Sequence, residues 1–110
     1  MRWELKKTLS ISAAHELGIG ECAKLHGHNW KITVRCSSRE LNKNGMVIDF
    51  NKIKKIVMEY DHTHLEEHDP FCCGIEQTAE NLARTICERI EFCDSVTVEE
   101  TENNEVTYYR

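Results

Sequence analysis

The chain lacks any apolar run long enough to cross a bilayer, which excludes a helical membrane span. Its opening residues, Met1-Arg2-Trp3-Glu4-Leu5-Lys6-Lys7, contain no apolar stretch of the signal-peptide kind, so a cytoplasmic setting is expected. Positive charge is in deficit: 14 Lys and Arg stand against 19 Asp and Glu, for a net charge of −5. Phosphate-backbone binding needs clustered cations, so a sequence-independent nucleic-acid binder is excluded. The six cysteines contain no C-x-x-C pair. Without a secretion signal they read as reduced thiols, with Cys36 and Cys87 as small buried hydrophobes. The adjacent pair Cys72-Cys73 suits neither an ordinary bridge nor a tetrahedral metal site. No repeat, linker or low-complexity segment interrupts the 110 residues, which are expected to form a single domain, 1–110.

Period-two patterning dominates both ends of the chain. Trp3, Leu5, Leu9, Ile11 and Ala13 alternate with polar residues, Lys7 breaking the set, and His15 continues it. From His28, the residues Trp30, Ile32, Val34 and Cys36 share one strand face, and Asn29, Lys31, Thr33 and Arg35 the other. Residues 37–45 read as a turn. Asp49 predicts a helix N-cap, followed by Phe50, Ile53, Ile56, Val57 and Tyr60 as a core stripe. Residues 61–77 read as a long polar connection. Thr78 predicts a second cap, with Leu82, Ile86 and Ile90 behind it. Val96, Val98 and Glu100 alternate, Asn103-Asn104 turns the chain, and Val106 and Tyr108 close it. The order ββααββ predicts an α+β fold: a four-stranded antiparallel sheet with two helices on one face.

Three histidines stand out against this pattern. His26 and His28 are two apart on one strand and project together, while His15 ends the neighbouring strand. Neutral imidazoles arranged this way suit a zinc ion with one open position, because catalytic zinc keeps three protein ligands. Cys22, four residues before His26, is a candidate base or nucleophile, or an inert loop thiol. Asp61-His62 suits a proton relay, since a carboxylate fixes an imidazole's tautomer, or forms a polar helix-ending turn. Glu100 shares the core-facing side of its strand and needs a partner there, unless the strand has ended.

These residues closely resemble the 6-pyruvoyl- and 6-carboxy-tetrahydropterin synthase family. The matching segments are Ser12-Ala13-Ala14-His15, Cys22-x-x-x-His26-Gly27-His28-Asn29, Gly45-Met46-Val47-Ile48-Asp49-Phe50, Asp61-His62, Thr78-Ala79-Glu80-Asn81-Leu82 and Glu100-Thr101. The resemblance implies the tunnelling fold, in which subunits join into a trimeric barrel, two trimers stack into a hexamer, and active sites lie between subunits. It implies zinc held by His15, His26 and His28, with the side-chain hydroxyls of 7,8-dihydroneopterin triphosphate on the metal. It gives Cys22 the role of proton-abstracting base, Asp61 and His62 that of relay, Glu100 that of pterin anchor with a share in proton relay, and Thr78 a contact to the ring. Of the family's reactions, the compact chain and the 45–50 segment look more like loss of acetaldehyde and triphosphate to give 6-carboxy-tetrahydropterin, a 7-deazaguanine precursor. The alternatives are triphosphate elimination to 6-pyruvoyl-tetrahydropterin, a pterin-binding zinc protein without turnover, or a small zinc protein whose function is oligomerisation. Cys22 followed by Ala23 disfavours the side-chain aldolase branch. The sequence departs from the family in a short loop between His15 and Cys22, in Gln77 where proline is common, and in residues 66–76.

Overall fold

The computed structural model describes residues 1–18 and 24–110. Two 13-residue strands, β1 (Trp3–His15) and β2 (His26–Ser38), pair antiparallel along their whole length, His15 opposite His26 and Trp3 opposite Ser38. β4 (Cys93–Thr101) lies antiparallel to β2, and β5 (Asn104–Tyr109) antiparallel to β4. A two-residue strand, β3 (Thr63–His64), runs parallel to β1 at Ala13 and Ala14. The sheet therefore has five strands in the order β3-β1-β2-β4-β5, rather than the expected four. Two residues inside a polar connection carry no periodicity, so β3 has no signature in the sequence.

The helices form where expected. The Asp49 carboxylate caps α1 (Phe50–Met58) by accepting from the Asn51 N–H. Thr78 caps α2 (Ala79–Arg89) by accepting from the Asn81 N–H at 3.1 Å. Both helices bury one stripe against the same sheet face, so Ile53 and Val57 join Leu82 and Ile86 over Ile11, Trp30, Ile32, Val34, Val96 and Val98 in one hydrophobic cluster. Arg89 ties the helix ends together through the Tyr60 hydroxyl and the Glu59 carboxylate.

Two expectations need correction. Phe50 is 48% exposed and lies outside the core. It occupies the first helical turn, where Lys7, the residue that broke the β1 pattern, places its ammonium 5.9 Å from the ring centroid. The 61–77 connection is also ordered by more than its polarity suggests. Two 3-10 turns, Leu65–Glu67 and Phe71–Cys73, each contribute one fully or nearly buried apolar side chain, Leu65 and Phe71. Single buried residues spaced six apart give neither a helical nor a strand period, which hides them from pattern reading. No helix of the described residues is long and apolar enough to cross a membrane.

Removing the α2 cap isolates one local term. Thr78→Ala is expected to cost about 1 kcal/mol, on the order of 4 °C in Tm, because the Asn81 N–H loses its acceptor. Thermal denaturation followed by circular dichroism measures it.

Candidate metal centre and adjoining cavity

Strand pairing builds the centre. Register puts His15 directly opposite His26, and His28 projects two residues along on the same face. The three rings meet edge to face, with centroids 4.5 to 5.0 Å apart. Trp30, two residues further along the same face, forms the floor. Its ring stands edge-on to His15 and His28, and its Nε1–H donates to the Ala13 carbonyl at 3.0 Å.

Glu100 reaches the cluster from β4. Between Glu99 and Thr101 the pairing with β5 slips by one residue, leaving Glu100 as the extra residue of a bulge. Bulges re-aim side chains. Glu100 Oε1 lies 2.9 Å from His28 Nε2 and 3.4 Å from His15 Nε2. One ligand atom from each of the four residues lies within 4.8 Å of all the others, so the set can hold a metal ion.

The tautomers fit that use. His15 Nδ1 lies 2.7 Å from the Gln77 carbonyl and His26 Nδ1 lies 2.6 Å from the Lys24 carbonyl. A carbonyl can only accept, so each Nδ1 carries the proton and each neutral ring turns a bare Nε2 lone pair inward. Metal-bound histidines are oriented by this kind of outer contact. The Nε2 atoms of His15 and His28 are buried without a hydrogen-bond partner. A carboxylate oxygen facing the His15 lone pair at 3.4 Å is repelled unless a proton or a metal cation stands between them. The donor set therefore fits a divalent metal on chemistry as well as on geometry.

Burial depresses the pKa of His28 below its ordinary value, and the neighbouring His15 and His26 push the same way against the Glu100 carboxylate. The sign follows from linkage. Below about pH 6.5 the unfolded histidine binds a proton that the folded one resists, so metal-free stability falls as the solution is acidified through that range. Melting the metal-free protein at pH 7.5 and 5.5 is expected to show a larger drop for the native chain than for His28→Gln.

Asp61 and His62 sit on the other side of β1. Asp61 Oδ1 accepts the Ser12 N–H at 2.8 Å, and Asp61 Oδ2 lies 3.4 Å from His62 Nε2. His62 adopts a left-handed conformation (φ 59°), which turns its side chain outward until 82% is exposed. An open cavity of about 540 Å³ is lined by His62 and Thr63 on one side and by His28 of the cluster on the other, with Ser12, Ala13 and Gly27 between.

Of the other candidates, Cys22 lies outside the described residues. Thr78 is placed as a helix cap, and the residue before it emerges as a contributor that sequence reading registered only as a departure. Gln77 is buried; its backbone carbonyl orients His15, and its Oε1 accepts the Glu16 N–H at 3.0 Å and lies 3.2 Å from His64 Nε2. Its main contribution to the cluster is a backbone carbonyl, which any residue type carries, so no side-chain signal pointed to it.

The profile of the 6-pyruvoyl tetrahydropterin synthase family matches residues 4–110. The chain belongs to this family. It is 33% identical over 96 residues to the 6-carboxy-5,6,7,8-tetrahydropterin synthase of Bacillus subtilis, an alignment covering 81% of this chain and 66% of that protein. It is 48% identical over 63 residues to an Archaeoglobus fulgidus relative, covering 53% of this chain and 54% of the relative. The chain thus spans just under two thirds of the length of the first and about half that of the second. Its fold superposes on the 6-pyruvoyl tetrahydropterin synthase of Caenorhabditis elegans with a TM-score of 0.82 at 27% identity, covering 100% of this chain and 96% of that one. The structure is accordingly the family's α+β fold, with two helices on a mostly antiparallel sheet.

Proposed function

We propose that the chain is a zinc-dependent lyase that converts 7,8-dihydroneopterin triphosphate to 6-carboxy-5,6,7,8-tetrahydropterin with loss of acetaldehyde and triphosphate. The observation that carries this reading is the convergence of His15, His26, His28 and Glu100 on one point, with His28 also lining a cavity that presents His62. Zinc suits three imidazole nitrogens and, when bound, would act as a Lewis acid on substrate oxygens, acidifying the adjacent carbon-bound proton.

The residues divide the remaining work. Cys22 takes that proton, from a position four residues before His26. Asp61 is fixed by its bond to Ser12 and keeps one oxygen for His62, which sits between cavity and solvent and can pass a proton either way. Glu100 stands at the metal end of the site. Its role in proton transfer there is better supported than its role as ring anchor, because its carboxylate points into the histidine cluster.

The sheet edges favour an oligomer. β3 covers Ala13 and Ala14, and Asp61 and His62 bond the Ser12 backbone, so among the described residues Trp3 to Ile11 leave one edge of β1 without a strand partner, and β5 leaves the other. Joining one edge to the other between copies is a head-to-tail contact, which closes into a ring and satisfies both. A homo-oligomer of trimeric or hexameric type follows, with the cavity at or near the seam.

Triphosphate elimination to 6-pyruvoyl-tetrahydropterin is the second reading, supported by the full-length likeness to the Caenorhabditis elegans protein. Incubation of the zinc-loaded chain with 7,8-dihydroneopterin triphosphate separates them. Acetaldehyde together with triphosphate is the expected result. Triphosphate without acetaldehyde selects the second reading, and substrate binding without either product overturns both.

A further inference from the structure

Residues 66–76 hold a second cluster of metal-ligating side chains. The 3-10 turn Phe71–Cys73 is pinned by its backbone: the Cys72 N–H donates to the His68 carbonyl and the Cys73 N–H to the Pro70 carbonyl, both at 2.9 Å. Phe71 anchors it in the core, and the left-handed Gly74 (φ 93°) ends it. The turn fixes both thiols on the surface. Their sulfurs are 3.8 Å apart, and Asp69 Oδ1 accepts from Cys72 Sγ at 3.1 Å and from Cys73 Sγ at 3.8 Å.

Those spacings have a coordination meaning. Two thiolates bound tetrahedrally at about 2.3 Å from a zinc-like ion lie roughly 3.8 Å apart, and a thiolate and a carboxylate oxygen roughly 3.6 Å apart. The observed sulfur–sulfur edge matches the first, and the two oxygen–sulfur edges bracket the second. The adjacency that argued against a metal site in the sequence is resolved by the turn, which brings both side chains to one side of Asp69.

We propose that Asp69, Cys72 and Cys73 form a second, surface-exposed site for a thiophilic divalent cation of the zinc or cadmium class. Binding forms two metal–sulfur bonds and one metal–oxygen bond, releases the thiol protons to solvent, and requires no oxidant or reductant. The fourth position faces water. The site lies on the segment that carries His62 at one end and Gln77 at the other.

The site stands independently of the histidine centre, and the test keeps them apart. Cadmium is titrated into the full chain under a non-thiol reductant, following bound metal per chain and thiolate-to-cadmium ultraviolet absorption. Cys72→Ser/Cys73→Ser is expected to bind one ion fewer than the native chain and to lose most of the absorption. Cys22→Ser and His28→Ala are expected to keep that absorption. Asp69→Asn is expected to keep both thiols but bind cadmium on the order of a hundredfold more weakly, because a direct ligand loses its charge. Equal stoichiometry and equal absorption in the native chain and the double variant would overturn the proposal.

Discussion

His28→Ala is expected to release the ion proposed for the histidine centre and to bring turnover to background. Removing an outer-shell partner of a metal ligand costs 10- to 100-fold in affinity, so removing a ligand itself is expected to cost at least about a hundredfold. The fold is expected to survive. His28 is partly exposed, and the core beneath it is carried by Trp30, whose indole N–H stays bonded to Ala13. Stability of the metal-free variant should change by only about 1 kcal/mol, within the range of ordinary substitutions. Metal content after dialysis and kcat are the paired readouts. Loss of turnover with full metal content would point to a different ligand set. Full turnover would remove the metal from the mechanism.

Cys22→Ala is expected to give the opposite pairing: metal content near native, with kcat reduced by about 10²- to 10⁴-fold, the usual contribution of a positioned base. Cys22 precedes His26 by four residues, in the loop that joins the β1 and β2 ends where all three imidazoles lie. The four residues that can hold the ion, His15, His26, His28 and Glu100, form a set that does not include it. Comparison with Glu100→Gln sharpens the assignment. That variant keeps size and hydrogen bonding but removes the charge that faces the His15 and His28 lone pairs, so it is expected to weaken metal binding as well as turnover. A Cys22→Ala enzyme within tenfold of native kcat would move the base elsewhere, with His62 the next candidate.

The long strands and both helices were legible because their signal is periodic. Alternation along β1 and β2 puts His15, His26 and His28 on the core-facing side, and register sets His15 against His26. Capping residues marked the helix starts, since Asp49 and Thr78 each accept a backbone N–H from their helix. What escaped reading has no period. The β3 pairing is two residues long, the Gln77 contact to His15 uses a backbone carbonyl, and the Glu100 bulge is a slip between strands that either strand alone conceals. The side of β4 on which Glu100 lies was legible by alternation. That its carboxylate would meet the imidazoles was a tertiary fact. The Cys72-Cys73 turn likewise depends on Phe71 being drawn into the core, which a polar stretch of sequence does not advertise.

The central claim is that His15, His26 and His28 converge on one divalent cation. X-ray absorption at the zinc edge tests it most directly, on protein with one zinc per chain and with Cys72 and Cys73 both changed to serine so that only the histidine centre reports. The account predicts a first shell of three imidazole nitrogens at about 2.0–2.1 Å with a light oxygen neighbour and no sulfur. A shell containing sulfur, or one with a single imidazole, would contradict it.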